Sequence, residues 1–193
     1  MTRRAPIRPG LLVGFVAVTL AGSGAADAQM LMTQDEALRL AFPEPARIER
    51  RTAYLEEATL DSVRALAGEG VRVERSVIPH YLGLRDGEPL GAAYFDVHRV
   101  RTLPEVMMVV VSPAGRVQRL EIVKFQEPPE YRAPEAWIEQ IVGRELSPGL
   151  SLRGEVINIT GATLTARAVT DAARRVLAYH ALIRPFGPET GAP

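Results

Sequence analysis

Hydrophobic and polar residues alternate along the middle of the chain in a pattern typical of β-hairpins. Residues 71–84 are rich in Val, Ile and Tyr, and the apolar pattern resumes at residues 92–95, after an Asp86-Gly87 pair. Asp-Gly between two such runs favours a tight two-residue turn, because both residues tolerate a left-handed backbone. The pattern therefore predicts a first β-hairpin in this region.

A second hairpin is predicted directly after the first. Residues 106–112 and 117–125 are apolar runs that flank a turn containing Pro113 and Gly115. In the second run, apolar and charged residues alternate one by one, which predicts one buried and one solvated face, as in many antiparallel sheets. The alternating residues are Arg119, Leu120, Glu121 and Ile122.

Helical spacing of apolar residues predicts four helices outside the hairpins, at residues 32–41, 56–66, 134–142 and 163–179. The first is expected to end before Phe42-Pro43, since the residue before a proline disfavours the helical backbone. Together, these elements predict an α+β domain in which an antiparallel sheet of two hairpins is flanked by N-terminal and C-terminal helices.

The last of these helices has a small, apolar face and a charged face, which we expect to be solvated. The apolar face comprises Thr165, Ala168, Val169, Ala172, Ala173, Val176 and His180, and the charged face comprises Arg167, Asp171, Arg174 and Arg175.

The beginning of the last helix is the first candidate for a site. We predict a short strand at residues 155–159, a tight turn, and a helix from Thr163 onward. Such a junction directs free backbone N–H groups and the positive end of the helix dipole at the turn, which favours a phosphate. Hydroxyls on Thr160, Thr163 and Thr165 crowd this spot. A plain threonine N-cap after a glycine turn is the structural alternative.

Composition narrows the function classes. The chain has no cysteine, which excludes disulfides, thiolate chemistry, iron–sulfur clusters and cysteine-bound zinc. Its 23 basic and 23 acidic residues balance, which argues against nucleic acid as the main partner. Lys124 is the only lysine, so catalysis through a lysine Schiff base would depend on one residue.

The first 28 residues have the pattern of a secretory signal peptide. Arg3, Arg4 and Arg8 precede an apolar run at residues 11–21, and cleavage is expected after Ala28. We therefore predict a signal peptide at residues 1–28, a mature chain at residues 29–193, and a periplasmic location. An uncleaved membrane anchor is the alternative, although the run is shorter than the roughly 20 apolar residues of a typical span.

Other candidate chemistry is weaker, and we predict no catalytic residue and no metal site. Asp96 and His98 share a face of a strand and suggest a base with its orienting acid, but no serine elbow accompanies them, and we favour a surface ion pair. The three histidines are scattered along the sequence, which argues against a metal site. Trp137 is expected in the core, with stacking on a cofactor as the alternative.

Residues 160–165, Thr-Gly-Ala-Thr-Leu-Thr, resemble the flavinylation motif of the FMN-binding domain family. This family includes flavin-carrying subunits of ion-translocating membrane oxidoreductases. Residues 95–105 and 127–131 also look like segments of its small exported members, and the resemblance extends over roughly residues 32–182.

The resemblance implies FMN as the cofactor, joined by its phosphate to the hydroxyl of Thr163 by a flavin transferase after export. It also implies that Glu127 approaches the flavin. The remaining cofactor-binding residues that it implies are the motif neighbours Thr160, Gly161, Ala162, Leu164 and Thr165. Two positions depart from the family pattern: Ile157 replaces the usual acidic residue six positions before the acceptor, and the segment after Glu127 lacks the family's glycine.

With the resemblance, the sequence predicts an FMN-binding domain at residues 29–193 that relays electrons between membrane or envelope redox proteins. We expect an electron carrier, since no acid/base pair points to a substrate-converting flavoenzyme. The expected partners are a flavin transferase and membrane or periplasmic redox proteins. Association with the membrane is possible in this prediction, and nucleic acid is not expected as a partner. The alternative is a flavin-free periplasmic binding or interaction domain of the same fold, which Ile157 favours.

Overall fold

The computed structural model describes residues 29–187. The predicted signal peptide lies outside the described residues. Within them, six strands form one antiparallel sheet in the order β1-β6-β5-β4-β3-β2. The strands are β1 (Gln29–Met30), β2 (Arg47–Tyr54), β3 (Val77–Arg85), β4 (Glu88–Arg99), β5 (Pro104–Val111) and β6 (Val117–Phe125). The predicted α+β class with an antiparallel sheet is confirmed.

Both predicted hairpins are present, as β3–β4 and β5–β6, and a further turn joins β4 to β5. At the first hairpin, Asp86 and Gly87 have φ values of 54° and 85°. A two-residue type I′ hairpin turn requires positive φ at both central residues, and Asp-Gly adopts this backbone conformation with little strain. The first strand of this hairpin, β3, begins at Val77, later than the predicted start at residue 71.

The helices are α1 (Gln34–Ala41), α2 (Glu57–Ala67), α3 (Glu135–Ile138) and α4 (Thr163–Ile183), with a 3₁₀ turn at Pro129–Tyr131. A capping box starts α1: the Glu36 amide donates to the Thr33 hydroxyl, and the Thr33 amide donates to the Glu36 carboxylate. Among the described residues, no helix is long and apolar enough to cross a membrane.

The sheet separates two apolar clusters. Val63 of α2 and Ala172 of α4 are buried against one face, in the same cluster as Met107 of β5. Phe42, which follows α1, is buried against the other face with Met108. Successive residues of a strand point to opposite faces, so the neighbours Met107 and Met108 belong to different clusters. The fold is therefore a sheet with α2 and α4 on one side and α1 on the other.

The edge strand β2 was not predicted from the sequence. Its eight residues, RIERRTAY, are exposed or half-buried throughout, so they give little hydrophobic alternation. Its partner β3 contains Gly83, at which a Cβ would come within 2.2 Å of the Phe42 ring. A glycine at this position lets the aromatic ring lie directly on the strand.

Two sequence predictions about local structure are wrong. Residues 155–159 do not form a strand, because their backbone groups form hydrogen bonds with side chains and not with a neighbouring strand. The Ile157 amide, for example, donates to the Gln140 side chain. The predicted helix at 134–142 is reduced to α3, because the Gly143 amide donates to the Val117 carbonyl (2.7 Å) and draws the chain towards the start of β6.

Candidate functional site

Thr163 is the first residue of α4, and its side chain is exposed, as the proposed attachment requires. The Asn158 side-chain amide donates to the Thr163 hydroxyl oxygen at 3.0 Å. Asn158 also accepts a hydrogen bond from the Ile159 amide, so its side chain bridges the loop before α4. Sequence reasoning did not single out Asn158, and no motif signals its role.

The first turn of α4 leaves backbone donors open. Ala162, not a threonine, is the N-cap residue, and no side chain caps the helix, so the alternative of a plain threonine N-cap is wrong. Within the described part of the chain, the amides of Thr163, Leu164 and Thr165 have no hydrogen-bond acceptor. Three unpaired N–H groups at the positive end of a 21-residue helix fit the oxygens of a phosphate ester.

The turn before α4 has the conformation that the motif predicts. Gly161 has a φ of 83°, which other residues adopt only with strain, and the Ala162 amide donates to the Ile159 carbonyl at 3.1 Å. Thr160 is exposed beside it. Leu164 is also exposed, at 49%. The motif residues are thus together at one corner of the molecule.

Thr165 has a different position from the other two motif threonines. It is buried, and its hydroxyl donates to the Tyr131 carbonyl at 2.5 Å. This bond joins the first turn of α4 to the 3₁₀ turn of residues 129–131. Thr165 therefore anchors the helix start and is not an acceptor for attachment.

Trp137 packs beneath the loop that precedes α4 and is hydrogen-bonded to it. Its ring is buried, at 7% exposure, and its Nε1–H donates to the Ile157 carbonyl at 2.5 Å. The expectation that Trp137 belongs to the core is confirmed. Ile157 itself is 73% exposed, so the position where the family has an acidic residue is open to solvent and to a partner.

Glu127 lies beneath the turn between β4 and β5. Its Oε1 atom accepts hydrogen bonds from the backbone amides of Arg101, Thr102 and Leu103 at 3.2, 2.6 and 2.8 Å. Burial opposes the charged form, but these amide donors lower the pKa of the Glu127 carboxyl below its ordinary value. Glu127 therefore holds this turn as an anion, and its predicted approach to the flavin stays a prediction.

Arg101 of the same turn stacks on Tyr131, with its guanidinium carbon 4.4 Å from the ring centre. Since Tyr131 also accepts from Thr165, the turn held by Glu127 is linked through Tyr131 to the start of α4. The structure thus connects the three segments that carry the family resemblance, residues 95–105, 127–131 and 160–165.

A cavity of about 550 Å³ lies between β4, α4 and residues 70–79. Asp171 of α4 lines it, is half-buried and, among the described residues, has no hydrogen-bond donor or ion-pair partner. Burial raises the pKa of the Asp171 carboxyl, although arginines of α4 act against the shift.

A network of four charged side chains lies under this cavity. Arg175 donates to both oxygens of Asp96 (2.8 and 2.6 Å), and the His98 ring bonds Asp96 at 2.9 Å and Glu105 at 2.8 Å. Asp96, Glu105 and His98 are almost fully buried. The pairing of Asp96 with His98 is confirmed, but the expectation of a surface ion pair is wrong.

The pKa values of this network follow from its pairing. Burial opposes the charged form of His98, but hydrogen bonds to Asp96 and Glu105 raise its pKa to about 9. Burial likewise opposes the charged form of Asp96, but bonds from His98 and Arg175 lower its pKa to about 2. At neutral pH the network therefore holds His98 and Arg175 as cations and Asp96 as an anion.

Arg174 and Arg175 correct the prediction of a solvated helix face. Arg174 donates to the carbonyls of Ala67, Ser147 and Leu150, which ties α4 to α2 and to the loop between α3 and α4. Sequence periodicity could not reveal this, because long cationic side chains bury their stems while reaching polar groups at a distance.

The far end of α4 carries a buried aromatic group. Tyr94 stacks on His80, with ring centres 5.6 Å apart, and its hydroxyl lies 3.1 Å from His180 Nδ1. Burial lowers the pKa of His180 to about 4. Burial also lowers the pKa of His80 below its ordinary value. Both rings are therefore neutral at physiological pH. The described residues contain no group of side chains suited to a metal ion.

Comparison with known proteins gives one finding. Residues 104–178 match the model of a family described as FMN-binding domain, and the matched segment spans β5, β6, α3 and most of α4. No curated protein matches the chain.

Proposed function

We propose that the protein is an exported electron carrier that holds FMN covalently on Thr163, and the premise is the match of residues 104–178 to the FMN-binding domain family, which indicates FMN as the cofactor. The observation that carries the proposal is the exposed Thr163 hydroxyl at the uncapped start of α4. A linked phosphate there has three unpaired backbone amides as donors.

Attachment replaces one bond of an activated flavin donor. The Thr163 oxygen forms an ester bond to the phosphorus of the FMN half, and the anhydride bond to the second phosphate of the donor breaks. The second phosphate leaves with its substituent, and the Thr163 proton passes to a base of the flavin transferase or to water. Asn158 orients the Thr163 oxygen, because its amide donates to that oxygen at 3.0 Å.

The bound FMN supplies reversible transfer of one or two electrons, which this chain's own side chains do not. The residues of the chain fix the position of the group: Thr163 by the ester, and Thr165 by anchoring the helix start to Tyr131. A covalent link suits a carrier outside the cytoplasm, since a flavin that cannot dissociate is not lost from the cell envelope.

Export is supported by the signal-peptide pattern at residues 1–28. The electron donor and acceptor are then redox proteins of the membrane or periplasm. Among the described residues, no acid/base pair lies beside Thr163, and the exposed start of α4 suits contact with another protein.

The experiment is expression of the full precursor with a flavin transferase, followed by denaturation. We expect yellow, ultraviolet-fluorescent protein that keeps its colour on a denaturing gel. Thr163→Ala should be colourless, and Thr59→Ala, at a half-buried threonine of α2 outside the motif, should stay coloured. A colourless wild-type protein contradicts the proposal, as does a coloured Thr163→Ala.

A further inference from the structure

We propose that the cavity between β4, α4 and residues 70–79 binds a small aliphatic zwitterion, a molecule that carries an ammonium group and a carboxylate. The inference goes beyond the proposed function, because it concerns a second ligand and not the flavin. The cavity volume of about 550 Å³ falls in the range of small-molecule sites. Among the described residues, none of 127–131 or 160–165 lines the cavity, so this site is separate from the attachment point of FMN.

Several charged groups of the cavity wall are already paired with one another. Arg175 donates to both oxygens of Asp96, and the His98 ring bonds Asp96 at 2.9 Å. The guanidinium of Arg72 contacts the Glu74 carboxylate at 2.8 Å. These five side chains satisfy each other's charge and do not require a ligand.

Three other charged residues of the wall are not paired in this way. The carboxylate of Asp171 has no hydrogen-bond donor or ion-pair partner among the described residues. In the same part of the chain, the Arg75 guanidinium also has none, and only the carbonyl of Arg75 takes part in a hydrogen bond, from Tyr179. Arg99 uses one N–H group for the Thr102 carbonyl at 2.6 Å and has further donors left.

The two signs of these groups define the chemistry of the ligand. A purely anionic ligand would be repelled by Asp171, and a purely cationic one by Arg75 and Arg99. A zwitterion donates from its ammonium group to Asp171 and accepts at its carboxylate from Arg75, so that both contacts are charge-assisted hydrogen bonds. Burial raises the pKa of the Asp171 carboxyl, and a bound ammonium group would offset this unfavourable burial of charge.

The cavity also has an apolar wall. Ile78 of β3 and Val176 of α4 line it and belong to the core cluster on this face of the sheet, and Ala168 packs against that cluster. Aliphatic side chains of this kind favour contact with CH₂ groups, which lose water on binding. The ligand class is therefore an amino acid with an aliphatic body.

The first test measures binding of a series of linear amino acids by isothermal titration calorimetry. The series is glycine, 4-aminobutyrate, 6-aminohexanoate and 8-aminooctanoate, in which the distance between the two charges increases. We expect at least one member to bind with a 1:1 stoichiometry. The simple acid and amine of the same length, such as hexanoate and hexylamine, each lack one charged contact and should bind about tenfold more weakly or worse. Failure of every member to bind, or equal binding of the acid or the amine, overturns the inference.

The second test locates the ammonium group with the best-binding member of the series. Asp171→Asn keeps the shape of the side chain but removes its charge, and should weaken binding about tenfold or more. Asp35→Asn makes the same change at an exposed residue of α1, on the opposite face of the sheet, and should leave the affinity unchanged. Equal affinities of wild type and Asp171→Asn overturn the inference.

The third test locates the carboxylate. Arg75→Gln should weaken binding of the zwitterion about tenfold and leave that of the simple amine no weaker than in wild type. Arg85→Gln, at an exposed arginine of β3 that does not line the cavity, is the matched control and should bind as wild type does. Zwitterion binding that does not change in Arg75→Gln contradicts the assignment.

All three tests use the full chain, with and without a flavin transferase in the expression host. The same losses are expected in both preparations, because the cavity is separate from Thr163. A protein that fails to acquire flavin would therefore overturn the proposed function and leave the binding measurements valid. Urea unfolding checks that each variant is folded.

Discussion

The two ends of α4 are built in opposite ways. At its start, Thr163 and Leu164 are exposed, no side chain caps the helix, and three backbone amides have no acceptor among the described residues. Towards its end, His180 and Tyr179 are buried, and the Tyr94 hydroxyl bonds the His180 ring. The start is left open, whereas residues 176–180 near the other end are buried.

This difference separates stability from function along one helix. The packed part, with the charge network and the aromatic group, holds α4 on the sheet. The open start contributes little to stability, so its donors and its hydroxyl are available for a phosphate. Changes at the buried positions of α4, Thr165 included, should therefore destabilise the fold, whereas changes at the exposed Thr163 should affect only the cofactor.

The largest loss of stability is expected at Arg175. Arg175→Met leaves Asp96 buried without its bidentate partner, and removal of one member of a buried pair costs about 4 kcal/mol. Arg167→Met, an exposed arginine of the same helix, should change the free energy of unfolding by less than about 0.5 kcal/mol. Urea unfolding at neutral pH measures both. Equal stabilities of the two variants would contradict the assigned role of the network.

The pH dependence of stability should have a maximum near pH 6.5. The pKa of His180 is about 4 in the folded protein, whereas its ordinary value, taken for the unfolded chain, is 6.5. As the pH falls, the unfolded chain therefore binds a proton at His180 before the folded protein does. Stability should therefore fall from pH 6.5 to 4, by about 3 kcal/mol for His180. The pKa of His98 is raised to about 9, so its contribution is complete below pH 6.5 and lost as the pH rises through 9.

Urea unfolding between pH 4 and 10 follows both limbs of this curve. His98→Asn should flatten the alkaline limb and leave the acidic limb in place. A wild-type stability that stays constant from pH 6.5 to 4 would show that His180 is not held neutral by burial.

A smaller loss is expected at the packed end of α4. Tyr94→Phe keeps the ring stacked on His80 but removes the hydroxyl that lies 3.1 Å from His180 Nδ1. A buried ring nitrogen without a partner costs about 1 to 2 kcal/mol. Thermal unfolding should show the loss, and Tyr54→Phe, at an exposed tyrosine of β2, should show none. Identical transitions for both variants would argue against a structural role of this bond.

The smallest loss of stability is expected at Thr165, and it should distinguish Thr165 from Thr163 of the same motif. Thr165→Val removes the hydrogen bond to the Tyr131 carbonyl and should cost about 1 kcal/mol. Thr163→Val, at the exposed position two residues before it, should cost less than about 0.5 kcal/mol. Urea unfolding of the apoproteins compares them directly. A larger cost at Thr163 than at Thr165 would reverse the picture of an open helix start.

The sequence predicted the elements whose signal is local. The Asp86-Gly87 turn, the alternation around Leu120 and the start of α4 at Thr163 all depend on neighbouring residues, and all are confirmed. The edge strand β2 escaped prediction because its residues are mostly polar and only half-buried. Residues 155–159 have the composition of a strand, but no neighbouring strand pairs with them.

The candidate site was predictable only in part. The start of α4 contains a contiguous motif, so Thr163 and its neighbours could be named from the sequence as the predicted attachment site. The charge network joins Asp96 to Arg175, which are 79 residues apart, and the cavity is formed by three separate parts of the chain. Periodicity places Arg175 on the outside of a helix, and only the packing of α4 on β4 brings it to Asp96.

Peptide mapping of the flavinylated protein tests the central claim most directly. Trypsin cleaves after Arg153 and Arg167, which releases one peptide of residues 154–167 that contains all three motif threonines. Fragmentation of this peptide should place the mass of the FMN phosphoester on Thr163. A modification on Thr160 or Thr165, or an unmodified peptide from protein made with an active flavin transferase, would contradict the account.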